Sequence, residues 1–257
     1  MKTVLTIAAS DPSGGAGIQA DLRAISAHGL YGMAVPTALT VQNTLGVTGV
    51  MIPEPEFLAR QLRAVLFDIR PDAVKIGAMP GADHARATAE LLREFEITNV
   101  VFDPVLASTS GAALGTVEAV GILAPVVSLL TPNLPEAAKL LGRPIAELAA
   151  RNDIESAANE LAAHFHTAIL LKGGHRTDGS FDDFFRPAND SGIWLPTRVV
   201  PPCGNHGTGC LLSSSIACGM ASGLSMPESI RHAKERLSGA LARGLSLGHG
   251  NGPVDFR

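Results

Sequence analysis

The chain has 257 residues, 46% hydrophobic and 17% charged, with a formal net charge of −4; it can bury a large core and lacks the basic footprint of a nucleic-acid binder. Its three cysteines, all between 203 and 218, form no even disulfide framework, contain no Cys-x-x-Cys, and leave Cys203, His206 and Cys210 without a fourth zinc ligand. The apolar start before Asp11 and Pro12 is too short for a signal peptide or a membrane span, so the expectation is one cytoplasmic domain over residues 1–257 that handles a small molecule, with neither nucleic acid nor membrane as partner.

In chain order, a β-rich apolar run at 3–9 leads through the turn SDPSGGAGIQAD into a helical stretch at 17–28. A turn-punctuated extended segment, LYGMAVPTALTVQNTLGVTGV, fills 30–50. Helical periodicity at 55–69, a strand at 73–78, a helix at 82–95 and strands at 99–103 and 126–131 follow, then helices at 134–141 and 153–165 and a strand at 167–172. A second extended segment runs from SFDDFF at 180 to RVV at 200, before helices at 208–222 and 227–246. Short buried strands alternating with amphipathic helices predict the α/β class, with a mostly parallel central sheet flanked by helices. The two extended segments read as strands at an edge or over one face of that sheet.

In such a sheet ligands bind outside the carboxyl ends of the strands, and there the sequence places Ser10-Asp11, Lys75 before Gly77, Asp103-Pro104, Thr131-Pro132-Asn133 with Glu136, and Lys172-Gly173-Gly174-His175. The turn at 10–21 carries Gly14, Gly15 and Gly17 but matches neither a Walker loop nor a Gly-x-Gly-x-x-Gly fingerprint; close approach to a ligand and a plain tight turn both remain open. The stretch CGNHGTGC at 203–210 sets Gly207, Thr208, Gly209 and Cys210 at a helix start, where unpaired N–H groups and the helix dipole make an anion hole. The same field favours a thiolate at Cys210 that could take a proton from a substrate alcohol; a small buried cysteine after a turn is the alternative. Cys218 reads as core filler, and Cys203 is given no role.

Taken in order, DPSGGAGIQAD, ALTVQNTLGV, KIGAM, VFDPV, TPNLPEA, LLKGGH and HGTGC closely resemble the hydroxymethylpyrimidine/phosphomethylpyrimidine kinases of thiamin biosynthesis, in the ribokinase-like superfamily, over nearly the whole chain. Pyridoxal kinases share much of the set. The resemblance implies a three-layer ribokinase-like fold and two successive ATP-dependent phosphorylations of an aminopyrimidine alcohol, with Mg²⁺ and a homodimer. It further implies that Cys210 is the base, with Gly207, Thr208 and Gly209 lining the anion hole and Thr208 and Lys172 meeting ATP phosphate. Asn133, Glu136 and Asp103 would organise the metal and its waters. Asp21 and Gln42 would read the pyrimidine, walled by Val41 and Val105, with Gly14 nearby. Three positions depart from the family pattern: Gly204-Asn205 replaces the usual Asn-Thr, and Ala78 stands where Met is usual.

Overall fold

The computed structural model describes residues 1–108, 110–174, 181–188, 190–197 and 204–256. The elements are β1 (Thr3–Ser10), α1 (Gly17–Ala27), β2 (Tyr31–Asn43), β3 (Gly46–Met51), α2 (Pro55–Asp68), β4 (Ala73–Ile76), α3 (Ala82–Glu94), β5 (Val100–Phe102), α4 (Val117–Leu123), β6 (Leu129–Leu130), α5 (Leu134–Leu141), α6 (Arg151–Phe165), β7 (Ala168–Leu171), β8 (Asp183–Arg186), β9 (Ile193–Leu195), α7 (Thr208–Ala221) and α8 (Met226–Arg243). They build one nine-stranded sheet in the order β3-β2-β1-β4-β5-β6-β7-β8-β9.

The strands from β2 to β7 run parallel, and β3, β8 and β9 are antiparallel additions at the two edges. The extended segment at 30–50 is therefore a strand and hairpin at one edge. The described part of 180–200 supplies the other edge, while Arg198, Val199 and Val200 lie outside the described residues. The central strands are continuous apolar runs because helices cover both faces: Val4, Leu5 and Ile7 of β1 are all fully buried. On one face Leu58, Leu62, Leu92, Leu123, Ala137 and Leu161 join helices α2 to α6 to the sheet. On the other, Ile25, Leu212, Ile216 and Ile230 pack α1, α7 and α8 against it.

Each of the seven predicted helices forms, with ends shifted by up to three residues. Helix α4 was not foreseen: it has only 7 residues and its start signal is a single cap, the Thr116 hydroxyl accepting from the Ala119 N–H at 3.1 Å. Helix α7 is buried along its whole length from Cys210 to Ala221, so it has no polar stripe. Its serines turn inward instead, Ser213 Oγ donating to the Gly209 carbonyl at 2.8 Å. Among the described residues no helix is long and apolar enough to cross a membrane.

Chain connections leave β1 in opposite directions, to β2 on one side and, after the hairpin, to β4 on the other. That reversal opens a crevice at the carboxyl ends of β1 and β4, and the buried start of α7 faces it.

Candidate active site

Gly207 caps α7 in the left-handed region at φ +85°, and a Cβ there would lie 2.0 Å from the Gly15 carbonyl oxygen; only glycine fits. Thr208 N–H reaches the Asn205 carbonyl at 3.3 Å and Leu211 N–H returns to the Gly207 carbonyl at 2.9 Å. The Gly209 and Cys210 N–H groups find no partner among the described residues, and both residues line the crevice. The helix start thus presents free donors and the positive end of its dipole to an open space, the anion hole the sequence led us to expect.

Beneath Cys210 lies a buried ion pair. Lys75 of β4 donates to both Asp21 oxygens, at 2.9 and 2.8 Å, with neither side chain accessible. Asp21 also accepts from Thr6 Oγ1 at 2.6 Å and from Ser214 Oγ at 2.8 Å, so β1, α1, β4 and α7 are joined at one carboxylate. Burial alone would lower the Lys75 pKa, but Asp21, Cys210 and Asp103 together push it above the ordinary lysine value. For Cys210, burial pushes the thiol up to about 11, against the pull of Lys75 and the Gly17 N–H in the other direction. The expectation of a helix-depressed thiolate is corrected here: the loss of water around a fully packed sulfur outweighs the helix field.

At the ends of β5, β6 and β7 stands a second charged cluster. Lys172 Nζ donates to Asp103 Oδ1 at 2.8 Å, and Thr131 Oγ1 lies 3.4 Å from the same oxygen. Glu136 and Asn133 form a capping box on α5, Asn133 N–H donating to Glu136 Oε2 and Glu136 N–H to Asn133 Oδ1, each at 2.8 Å. Burial, and then the neighbouring Asp103 against the opposing Lys172, raises the Glu136 carboxyl to about 7. Two carboxylates share one lysine at the cavity wall, and Glu136 Oε1 accepts no hydrogen bond among the described residues.

The turn after β1 is organised by Asp11, which accepts from Ser13 N–H at 2.9 Å, Ser13 Oγ at 2.7 Å and Ala16 N–H at 2.9 Å. His206 Nε2 meets its Oδ2 at 2.9 Å. Burial would raise the Asp11 carboxyl, but these hydrogen bonds hold it below the ordinary carboxylate value. Gln42, on β2, sits with its amide between Thr40 Oγ1 at 3.1 Å and His206 Nε2 at 3.4 Å.

These groups surround a cavity of about 790 Å³, within the size range of small-molecule sites. Of the residues expected from sequence, Cys210, Gly207, Thr208, Gly209, Lys172, Asp103, Asn133, Glu136, Gln42 and Val105 line it. Asp21, Val41 and Gly14 do not. Asp21 lies one layer down, its acceptors taken by Lys75, Thr6 and Ser214; Val41 is 65% exposed on the outer hairpin; and Gly14 faces the Arg23 guanidinium, whose Nη1 donates to its carbonyl at 2.6 Å. Gly17, at φ +59°, also serves the fold, since a Cβ there would sit 2.1 Å from the Ala9 carbonyl oxygen. His175 and Cys203 lie outside the described residues.

Three lining groups went unassigned in the sequence. Lys75 was visible as a lysine inside an apolar strand, an uncompensated charge that demands a partner. Lys234 of α8, in the charged run Lys234-Glu235-Arg236, is nonetheless buried; it pairs with Asp183 and donates to Thr197 Oγ1 at 2.6 Å. His206, set aside as a zinc ligand, is the third.

The family model described as phosphomethylpyrimidine kinase matches residues 11–255. The chain is 43% identical over 256 residues to the hydroxymethylpyrimidine/phosphomethylpyrimidine kinase of Escherichia coli (strain K12), covering 97% of this chain and 95% of that protein. Against the protein of the same description from Streptomyces coelicolor it is 41% identical over 256 residues, covering 98% and 93%. Among solved structures, an ADP complex of Bacillus subtilis pyridoxal kinase superposes with a TM-score of 0.89 at 30% identity, covering 100% of this chain and 97% of that one. Phosphomethylpyrimidine kinase from Clostridium difficile 630 gives 0.79 at 36% identity, covering 93% and 99%.

Proposed function

The chain belongs to the phosphomethylpyrimidine kinase family, and from that premise we propose that this cavity transfers phosphate from ATP to 4-amino-5-hydroxymethyl-2-methylpyrimidine and then to its monophosphate, two steps of thiamin biosynthesis. The observation that carries the reading is the pair of N–H groups at Gly209 and Cys210, without partners among the described residues, set beside Lys172 and Asp103, which lie 3.7 and 3.0 Å from where a Gly209 Cβ would stand, in one cavity. Phosphoryl transfer needs positioning and charge neutralisation more than covalent help from the protein, and this is the arrangement that supplies them. In the first step the substrate alcohol oxygen bonds to the γ-phosphorus, the bond from that phosphorus to the β-bridging oxygen breaks, and ADP leaves. The alcohol proton goes to Cys210 when its sulfur is ionised. In the second step the acceptor is already a phosphate and needs little deprotonation.

Gly207, Thr208 and Gly209 hold the transferring phosphate in this reading, and Lys172, close beside Gly209, meets it as well. The residues fit Mg²⁺: two carboxylates, Asp103, which is paired with Lys172, and Glu136, line the wall, and this ion ordinarily takes one or two protein carboxylates and completes its shell with nucleotide phosphates and water. Bound with ATP, it would neutralise phosphate charge. Asn133 contributes by fixing Glu136 through the capping box. Gln42 reads the aminopyrimidine edge with Val105 against the ring; Asp21 acts from below, through Lys75. A homodimer belongs to the same reading, supported by the apolar Leu39, Val41, Val50 and Met51 exposed on the outer strands, as does a cytoplasmic location.

One observation favours a second activity on pyridoxal. The fold superposes at least as well on a pyridoxal kinase as on a phosphomethylpyrimidine kinase, and the small Ala78 lies in an apolar cluster with Ala9, Ala38, Val105 and Leu114. The test is ATP consumption with the hydroxymethylpyrimidine or pyridoxal as acceptor, with mass identification of products. Mono- and diphosphorylated pyrimidine are expected; pyridoxal phosphate alone would overturn the assignment.

A further inference from the structure

His206 has no part in the chemistry above, yet it is buried between the two loops that make the site. Its backbone N–H reaches the Gly252 carbonyl at 3.2 Å and its carbonyl accepts from Val254 N–H at 3.1 Å. Its ring lies so close over Gly15 that a Cβ there would meet His206 Cδ2 at 2.2 Å. The imidazole is therefore fixed in place on three sides, with Nε2 set between Asp11 Oδ2 at 2.9 Å and the Gln42 amide at 3.4 Å.

Two neighbours determine which way that amide turns. Thr40 has one hydroxyl proton, and it goes to the Ser10 carbonyl at 2.9 Å; the Gln42 atom beside Thr40 Oγ1 must then be a donor, the amide nitrogen. On the other side, the ionised Asp11 carboxylate only accepts, so His206 Nε2 carries a proton, which it gives to Asp11 Oδ2 at 2.9 Å and shares only weakly with Gln42 at 3.4 Å; a ring N–H repels an amide N–H and attracts an amide oxygen, so the oxygen of Gln42 faces it. Amide oxygen and nitrogen are assigned from their hydrogen-bond partners, and both partners choose the orientation that exchanges the two atoms relative to Oε1 beside Thr40 and Nε2 beside His206.

We propose that His206, clamped by Asp11, is a positioning residue that holds the Gln42 amide oxygen toward itself and the nitrogen toward Thr40. One oxygen lone pair and one N–H of Gln42 are then left over, side by side, as an acceptor and a donor for the cavity. An aminopyrimidine presents the complement, an exocyclic amine beside a ring nitrogen. This inference rests on the proposed substrate class.

The test is a double-mutant cycle with steady-state kinetics. In His206→Leu, the KM for the aminopyrimidine should rise about two- to threefold, the low end of what one hydrogen bond is worth, with the KM for ATP unchanged. His206→Gln, whose Nε2 can take the place of the imidazole Nε2, should restore it; His206→Asn, too short, should not. In a Gln42→Ala background the effect of His206→Leu on that KM should vanish. A merely structural role in the turn before α7 would instead lower kcat and raise the KM for ATP in both backgrounds, and that result overturns the proposal, as does equal behaviour of the Gln and Asn variants if the Leu variant does not fold. A readout independent of substrate is the NOE pattern of the Gln42 side-chain amide in the unliganded protein: contacts to Thr40 are expected. Contacts to the His206 ring with none to Thr40 would refute the orientation even if the aminopyrimidine proves not to be the acceptor.

Discussion

The thiol of Cys210 makes a quantitative demand on the first phosphorylation. Burial pushes it up to about 11, with Lys75 pulling the other way. At pH 8 the ionised fraction is then about 10⁻³, since each unit below the pKa removes a factor of ten. If proton transfer to this sulfur limits the first step, its rate should climb about tenfold per pH unit from about pH 7 to about pH 9, with no plateau in that range. Cys210→Ala should remove the slope. The second step, whose acceptor is already a phosphate, should be nearly flat and nearly indifferent to the substitution. Rapid quench with separation of mono- and diphosphate products follows the two steps apart, and mass-resolved alkylation of the Cys210 peptide against pH titrates the sulfur independently of turnover. A plateau near pH 8 together with alkylation that saturates there would refute the argument that burial governs this thiol. Equal losses in both steps on Cys210→Ala would refute the base role itself.

Other expectations follow from the same geometry. Lys75→Met strips Asp21 of its cation while leaving it buried, and should cost about 3–5 kcal/mol in denaturant unfolding; adding Asp21→Asn should recover part of that loss, and no recovery would count against the pair. Glu136 has a carboxyl raised from 4.5 to about 7, so the native state holds a proton that the unfolded state has released. Stability should therefore fall as pH rises through that window. Without nucleotide or divalent cation, Glu136→Gln should have the higher Tm at about pH 8 and lose that advantage at or below about pH 4.5; a pH-independent difference would contradict this. Gly209→Ala places a Cβ 3.0 Å from Asp103 Oδ2, at the mouth of the anion hole, and should lower kcat about 10²-fold with little change in Tm. Gly17→Ala should behave oppositely, losing more than about 2 kcal/mol of stability, because its Cβ has only the Ala9 carbonyl to move into.

Residues whose role is set by local chemistry were readable in the linear chain. The Gly207–Cys210 turn at a helix start and the Asn133/Glu136 capping box depend on neighbours within four positions, and so did most helix ends. Residues whose role depends on topology were not. Lys75 and Asp21 are 54 positions apart and meet because β4 is laid beside β1, with Thr6 paired to Lys75; no spacing rule reports that adjacency. Cys210 illustrates two competing effects: the helix-start field was legible, but the packing that overrides it comes from α1, α8 and the segment at 254–256. Gln42 and Asp21 looked like equivalent polar contacts, and only the packing of the fold separates Gln42, on β2 in the cavity, from Asp21, on the buried face of α1 beneath it. Helix α4 escaped because one cap and two turns leave too little periodicity to detect.

The segment at 250–254 reaches both halves of the site. Asn251 N–H bonds to the Thr44 carbonyl at the tip of the β2–β3 hairpin at 2.9 Å, and Gly252 and Val254 hold the backbone of His206. In chain order these residues follow every strand and helix of the fold. A nascent chain can therefore lay down the nine-stranded sheet on the ribosome and still have the turn before α7 unbraced, so the capacity to bind phosphate should be acquired abruptly, as residues 250–254 leave the exit tunnel, rather than growing with each strand added.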